Sequence, residues 1–440
     1  MARTDVRGPA PAHAPVQDLP PGAPAPAGTP SDAPAPALRQ PAGAPPEAAS
    51  PAGASPAEVA AMGRALELAR RGPAHGPNPR VGCVLLGPAG PEAAAPDADP
   101  VVLAEGWHAG VGTPHAEVAA LLAARAAGVD VGGATAVVTL EPCNHTGRTG
   151  PCAQALLDAA IGRVVVAVAD PNPVAAGGAD RLRDHGVEVV IGVGEDEARE
   201  MLRTWLPAVT RNRPFVTLKI ATTLDGRVAA ADGSSRWITS EVARRHAHSL
   251  RADADAIVVG TGTVAADDPS LTARTADGGL AAHQPMRVVV GHRPVPDGAR
   301  LRGPGGELVQ LDTHDPVEVL DALASREVRH VLVEGGPTLA AAFLRAGVVD
   351  EVYAYIAPVF LGAGPAAVAD LGITSIEGAV RLVPREPVPL GPDVLVVAAA
   401  ASHPTDPTDP GAAPGDAPAG TTPGRTDTVG AAAPHHEEER

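Results

Sequence analysis

Aromatic side chains are scarce in this chain of 440 residues: phenylalanine, tryptophan and tyrosine together make up 2% of it. Proteins that clamp nucleic acid need stacking rings along a basic groove. This chain is acidic, with a formal net charge of −17, and that class is excluded. No stretch approaches the roughly 20 apolar residues of a membrane span, and Met1 to Ala10 lacks the apolar region of a secretory signal, so no membrane partner is expected and the expected location is the cytoplasm. Cysteine occurs only as Cys83, Cys143 and Cys152. An odd and small number is no disulfide framework, which leaves reduced thiols or a metal site. Lysine is rarer still. Lys219 stands alone against 33 arginines, which marks it for a role that needs a compact, tunable ammonium, the alternative being a strand-edge residue that a compositional bias spared.

Proline, by contrast, is abundant and unevenly spread. Residues 1–56 hold 15 of the 49 prolines and residues 402–440 another 7, mixed with Ala, Gly, Thr and Ser and almost no large apolar side chain. Both ends are expected to be disordered tails. Between them about −11 of the net charge remains, an ordinary soluble surface, and there is room for two domains. The pattern alternates β-branched runs with Ala/Leu-rich helical stretches, which predicts α/β architecture. Pro56 to Arg71 reads as a helix. Val81 to Leu86 and Val101 to Gly106 read as a strand pair joined by the insert Gly87 to Pro100. Thr113 as N-cap and Pro114 as first helical residue predict a helix to Ala127. Strand Ala134 to Leu140, helix Pro151 to Ala160 and strand Arg163 to Ala169 form a β, α, β unit. A helical turn at Met201 to Leu206 precedes a domain boundary near Val209 to Asn212, giving domains at 57–208 and 213–400. Further strands are predicted from Arg213 and at Ala256 to Val259, Arg287 to Val290, His330 to Val333 and Glu351 to Ala357.

The sharpest local signal is His115-Ala-Glu117 at a helix start, followed by Glu141-Pro-Cys143 after a strand and by Pro151-Cys152. One imidazole and two thiolates can hold zinc and leave its fourth tetrahedral position for water, whose pKa the metal lowers toward about 7. Glu117 is then placed to carry a proton to a leaving amine, the arrangement of zinc nucleobase deaminases. Taken singly, a His-x-Glu is common and two cysteines are often small buried apolar residues. Cys83, inside an apolar run, reads as core.

The spacing of the two cysteines, with His145-Thr-Gly-Arg148-Thr between them, is more selective. Together with Asn78-Pro-Arg-Val-Gly-Cys-Val, Gly106-Trp-His108 and Asp170-Pro-Asn172-Pro, it resembles the deaminase half of the RibD family, the bifunctional deaminase–reductases of riboflavin biosynthesis. The resemblance implies a cytidine-deaminase-like α/β/α domain in which His115, Cys143 and Cys152 hold zinc and Glu117 donates the proton. It also implies that Asn78, His108, Arg148 and Asn172 contact the pyrimidine or its ribose phosphate; an arginine fork suits phosphate, although an exposed loop arginine is the plainer reading of Arg148.

Residues 213–400 resemble the reductase half of the same family, a fold like dihydrofolate reductase. The matching stretches are Leu218-Lys-Ile-Ala-Thr-Thr-Leu-Asp-Gly-Arg, Ser235-Arg-Trp-Ile-Thr-Ser, Gly262-Thr-Val-Ala-Ala-Asp267-Asp-Pro-Ser-Leu271-Thr-Ala-Arg274 and Val331-Leu-Val-Glu334-Gly-Gly-Pro-Thr-Leu. The last is a strand ending in two glycines before a helix, where backbone N–H groups can face a phosphate, or simply a helix entry. The resemblance implies NADPH as cofactor, with Ala221, Trp237, Thr263, Asp267, Gly336, Pro337 and Thr338 along it. It places Ser235, Arg251, Leu271, Arg274 and Glu334 on the ribosylaminopyrimidine, with Arg251 and Arg274 at its phosphate; Lys219, singled out by its rarity, is a candidate reductase residue. Asp225 and Gly226 read as a turn. The partners implied are a phosphorylated small molecule and further copies of the chain in a homo-oligomer.

Overall fold

The computed structural model describes residues 53–87, 101–146 and 150–401. The expectations for the tails, for most of the 87–100 insert and for Arg148 fall outside these residues. Helix α1 (Pro56–Ala69) starts where Ser55 accepts from the Glu58 amide while the Glu58 side chain takes the Ser55 amide, a reciprocal cap with Pro56 in the first turn. Ser55 and Pro56 thus belong to the folded unit, just ahead of the boundary expected at 57. Strands β1 (Gly82–Leu86) and β2 (Val102–Trp107) pair antiparallel as expected. Helix α2 (Ala116–Ala127), strand β3 (Thr135–Leu140), helix α3 (Cys152–Asp158) and strand β4 (Arg163–Val168) follow, with β3 and β4 parallel. Helix α4 (Gly178–Asp184) leads to strand β5 (Glu188–Ile191), and the sheet order is β2-β1-β3-β4-β5. Helix α1 lies on β1 and β3 because Gly82 lets the backbones meet: a Cβ there would sit 2.0 Å from the Ala65 carbonyl oxygen. Cys83 is fully buried in this core.

Two expectations about helix ends are corrected. Helix α2 begins at Ala116 with His115 as its extended N-cap, two residues later than the Thr113-Pro114 reading. The Thr113 hydroxyl is spent on the Gly110 carbonyl at 2.7 Å and caps nothing. The Met201 to Leu206 turn is instead the joint between α5 (Glu195–Met201) and α6 (Trp205–Thr210). Pro207 lacks an N–H and is accommodated only in a first helical turn, so the helix restarts just before it.

The second half is a nine-stranded sheet. In chain order come β6 (Phe215–Thr223), α7 (Glu241–Asp253), β7 (Ala256–Gly260), α8 (Thr261–Asp267), β8 (Met286–Val290), β9 (Leu308–Leu311) and α9 (Pro316–Ala324). They are followed by β10 (His330–Val333), α10 (Pro337–Arg345), β11 (Glu351–Ala357), β12 (Leu382–Pro384), β13 (Val388–Leu390) and β14 (Asp393–Ala400). The order is β12-β14-β11-β6-β10-β7-β8-β9, with β13 on β14; the strands from β11 to β9 are parallel. Both faces are covered, since Ala256 and Val258 enter one apolar cluster and their alternates Ile257 and Val259 the other. Parallel neighbours β6, β7 and β10 therefore end together, which is where open α/β sheets place ligands.

Candidate functional site

Because His115 caps α2 in an extended conformation, its ring hangs off the helix start and makes no cap hydrogen bond. Its Nδ1 lies 3.6 Å from Cys143 Sγ and 3.3 Å from Cys152 Sγ. Cys143 leaves the end of β3 through Pro142, and Cys152 opens α3, donating its amide to Cys143 Sγ at 3.4 Å. The three donor atoms all lie within 4.8 Å of one another. A tetrahedral zinc with bonds of about 2.0–2.3 Å separates its ligands by about 3.5 Å, close to the two distances from His115 to the sulfurs, so the donor set suits the ion. Cys143 is held down to about 4 by the Cys152 thiol, with His115 helping, while Cys152 is pushed far up because it donates to Cys143 in a buried place. One thiolate is thus already favoured, and a binding metal would displace the second thiol's proton.

Glu117, 3% exposed, sits on the first turn of α2 beside this cluster. Burial pushes its carboxyl up to about 7, and the Cys143 thiolate adds to the effect. A carboxyl with that pKa can take and return a proton near neutral pH. Across the cavity, His108 Nδ1 lies 3.1 Å from the Pro114 carbonyl, which can only accept, so Nδ1 carries the proton. Nε2 then accepts from the Asn78 amide at 3.0 Å, fixing the orientation of Asn78. Asn78, His108, His115, Glu117, Cys143 and Asn172 line one cavity of about 500 Å³. The structure therefore brings these expected residues together, with Cys152 buried at their back.

A supporting contact escaped the sequence reading. The Glu141 carboxylate, two residues before Cys143, accepts from the amides of Asp170 (3.0 Å), Gly177 (3.1 Å) and Ala179 (2.9 Å). Gly178 presses on the same turn: a Cβ there would lie 1.7 Å from the Pro142 carbonyl oxygen. The adjacent glycines 177 and 178 were the available signal, but only the fold shows what they touch.

A second cavity, of about 480 Å³, opens in the other half. It gathers Lys219, Ala221, Ser235, Trp237, Arg251, Thr263, Asp267, Leu271, Arg274 and Glu334. Gly336, Pro337 and Thr338 are not in its wall, although the Gly336 amide donates to Thr263 Oγ1 at 3.1 Å. The Arg251 fork, placed at a phosphate by the family resemblance, is engaged by Glu334 at 2.7 and 2.9 Å and by the Thr272 carbonyl. Lys219 Nζ stands 3.9 Å from Glu334, and burial pulls its pKa down. Leu271 is buried with φ +51, a left-handed conformation that costs a branched side chain about 1–2 kcal/mol and is held by its surroundings. Asp225 closes a turn as expected, accepting from Thr223 Oγ1 and from the Gly362 amide, with Gly226 at φ +76.

A His-Cys-Cys donor set with two buried thiols and a half-buried imidazole, beside a non-ligand glutamate on the helix that His115 caps, defines a zinc-dependent nucleobase deaminase, here followed by a larger, mostly parallel-sheet domain with a cavity of its own. Residues 56–168 match the family model for the cytidine and deoxycytidylate deaminase zinc-binding region, and residues 214–396 match the RibD C-terminal domain. The chain is 49% identical over 339 residues to the riboflavin biosynthesis protein RibD of Mycobacterium tuberculosis, covering 76% of this chain and 95% of that protein. It is 38% identical to RibD of Escherichia coli, covering 76% and 97%. The structure resembles Acinetobacter baumannii RibD with a TM-score of 0.69 at 36% identity, covering 79% of this chain and 99% of that one. A diaminohydroxyphosphoribosylaminopyrimidine deaminase/5-amino-6-(5-phosphoribosylamino)uracil reductase from Thermotoga maritima also gives 0.69, at 32% identity, covering 78% and 99%. The chain belongs to the RibD family: it is a bifunctional deaminase and reductase of riboflavin biosynthesis, with zinc and NADPH as cofactors. Among the described residues no helix is long and apolar enough to cross a membrane.

Proposed function

We propose that residues 57–208 deaminate 2,5-diamino-6-(5-phosphoribosylamino)pyrimidin-4-one and that residues 213–400 then reduce the ribosyl group of the product to a ribityl chain. His115, Cys143 and Cys152 hold the zinc, which when bound supplies a Lewis acid that makes water nucleophilic near neutral pH. Glu117 takes the proton this water releases and delivers it to the departing amine. Asn78, its orientation set by His108, and Asn172 position the pyrimidine, and Arg148 serves its phosphate. The observation that carries the deaminase assignment is the convergence of His115 Nδ1 on two thiols at 3.3 and 3.6 Å beside buried Glu117.

In the second cavity NADPH supplies the reducing equivalent, lying along Ala221, Trp237, Thr263, Asp267 and the 336–338 turn. Ser235, Leu271, Arg274 and the Arg251–Glu334 pair hold the sugar and its phosphate, and Lys219 places its ammonium at the carbon being reduced. Glu334, held by Arg251, stands 3.9 Å from Lys219, and its negative charge opposes the loss of the lysine proton that burial favours. The protein is further read as a homo-oligomer of the cytoplasm, with a small-molecule substrate and no nucleic-acid partner. Ammonia release and NADPH oxidation on the purified chain test both steps. Glu117→Gln is expected to cut ammonia release by 100-fold or more, about the range of a lost general acid–base, with zinc content and reduction of separately supplied intermediate unchanged. Retention of ammonia release in that variant would refute the role of Glu117.

A further inference from the structure

The wall of the deaminase cavity is not made by the first half alone: it includes Glu327 and Arg329, from the segment entering β10. That segment is pinned. One Asp255 carboxylate oxygen accepts from the amides of Arg329 (2.8 Å) and His330 (2.9 Å), and the Arg329 carbonyl accepts from the Phe215 amide (2.8 Å). The other Asp255 oxygen accepts from the Gly76 amide, in the loop that carries Asn78. A single carboxylate from the reductase half thereby fixes both the Asn78 loop and the backbone that projects Arg329.

The Arg329 side chain is half-buried, its Nε is shut off from solvent, and it has no hydrogen-bond or ion-pair partner among the described residues. A partly desolvated cation without a partner is costly, and structures rarely keep one without a use. The charges around it make the use specific. The described lining residues include the acidic Glu117, Glu141, Asp170 and Glu327, and Arg329 is the one lysine or arginine among them. An anionic substrate entering a wall of that sign needs a cation to meet it. A guanidinium with free N–H groups is matched to a phosphate monoester.

We propose that Arg329, supplied by the reductase half, joins Arg148 in binding the phosphate of the pyrimidine substrate in the deaminase cavity, so that the second domain completes the first domain's site. This rests on the reading of that cavity as the place where a phosphorylated pyrimidine is deaminated. The test uses the full-length, zinc-loaded protein and follows ammonia release from the phosphorylated substrate and from its dephosphorylated counterpart. Arg329→Gln is expected to raise KM for the phosphorylated substrate at least tenfold, with kcat within threefold, and to leave KM for the dephosphorylated one unchanged. Arg329→Lys recovers part of the loss, and NADPH-dependent reduction of separately supplied intermediate stays within twofold of wild type. An unchanged KM, or an equal rise for both substrates, overturns the proposal. Should Arg329→Gln not fold, the exposed neighbour Glu327→Gln reads the same field: KM for the phosphorylated substrate alone is expected to fall at least twofold, and no change contradicts the proposal. Absence of ammonia release from the wild type itself would instead reject the deaminase reading on which this inference stands.

Discussion

Glu117 and Glu334 are both buried carboxyls, and their neighbours drive them in opposite directions. At Glu117 burial is joined by a thiolate, and the pKa climbs to about 7; at Glu334 burial acts upward too, but Arg251 and Lys219 outweigh it and hold the group to about 2. The first is suited to exchanging protons, the second to staying an anion that steers an ammonium. Lys219→Met, which keeps the length and removes the charge, is expected to lower NADPH oxidation at least 100-fold while ammonia release stays within twofold; equal loss of both would point to a folding defect. A third buried group sets a pH limit. Burial pushes His330 down to about 4, with its Nε2 2.9 Å from Thr217 Oγ1. Its folded pKa lies below the unfolded value, so the unfolded chain binds the extra proton first. The stability this neutral ring confers is complete above about pH 6.5 and is lost as pH falls from there toward 4. Calorimetry at pH 7 and pH 5 is expected to show a larger drop in Tm for wild type than for His330→Gln, and equal drops would contradict it.

The elements that carry chemistry were more legible than their ends. The β, α, β unit around the cysteines, the β1–β2 pair and strands β10 and β11 follow from β-branched runs and from helix-starting prolines. The start of α2 did not, because whether a threonine hydroxyl caps a helix or closes a preceding turn depends on where the Gly110 carbonyl lies, which is a property of the folded loop. Strands β9, β12 and β13 are three or four residues long and lie at or near the sheet edge, too short and too exposed for an alternating pattern. The site residues with a local motif, His115, Glu117, Cys143 and Cys152, were readable in the sequence. Glu141 stands in the sequence only as part of a motif, and nothing local marks Arg329, because what matters about each is an amide or a cavity far away in the chain. The Glu141–Gly178 contact gives an element-level prediction. Gly178→Ala drives a methyl into the Pro142 carbonyl, displaces the turn bearing Cys143, and is expected to cost about 1–3 kcal/mol and to weaken zinc binding about 10- to 100-fold by competition with a chelator. Wild-type zinc affinity in this variant would show that the turn tolerates the shift.

At the scale of the molecule, the two halves have separate apolar cores but are tied by charge. Arg203 pairs with Glu351 at 2.7 Å, Arg385 with Glu200 at 2.7 Å, and Asp255 reaches the Gly76 amide. Glu351 is almost fully buried while Arg203 is partly exposed, so removing the arginine would leave a buried carboxylate short of a partner. Such ties hold the Asn78 loop against the reductase half, which is how residues of two sheets come to face one cavity. Everything chemical in the first half, however, depends on three donor atoms and one ion. Zinc content and ammonia release, measured together on wild type and on Cys152→Ser, test that dependence most directly. One zinc per chain and active deamination are expected in the wild type, and loss of both in the variant; deamination at the wild-type rate by the variant or by metal-stripped protein would contradict the account.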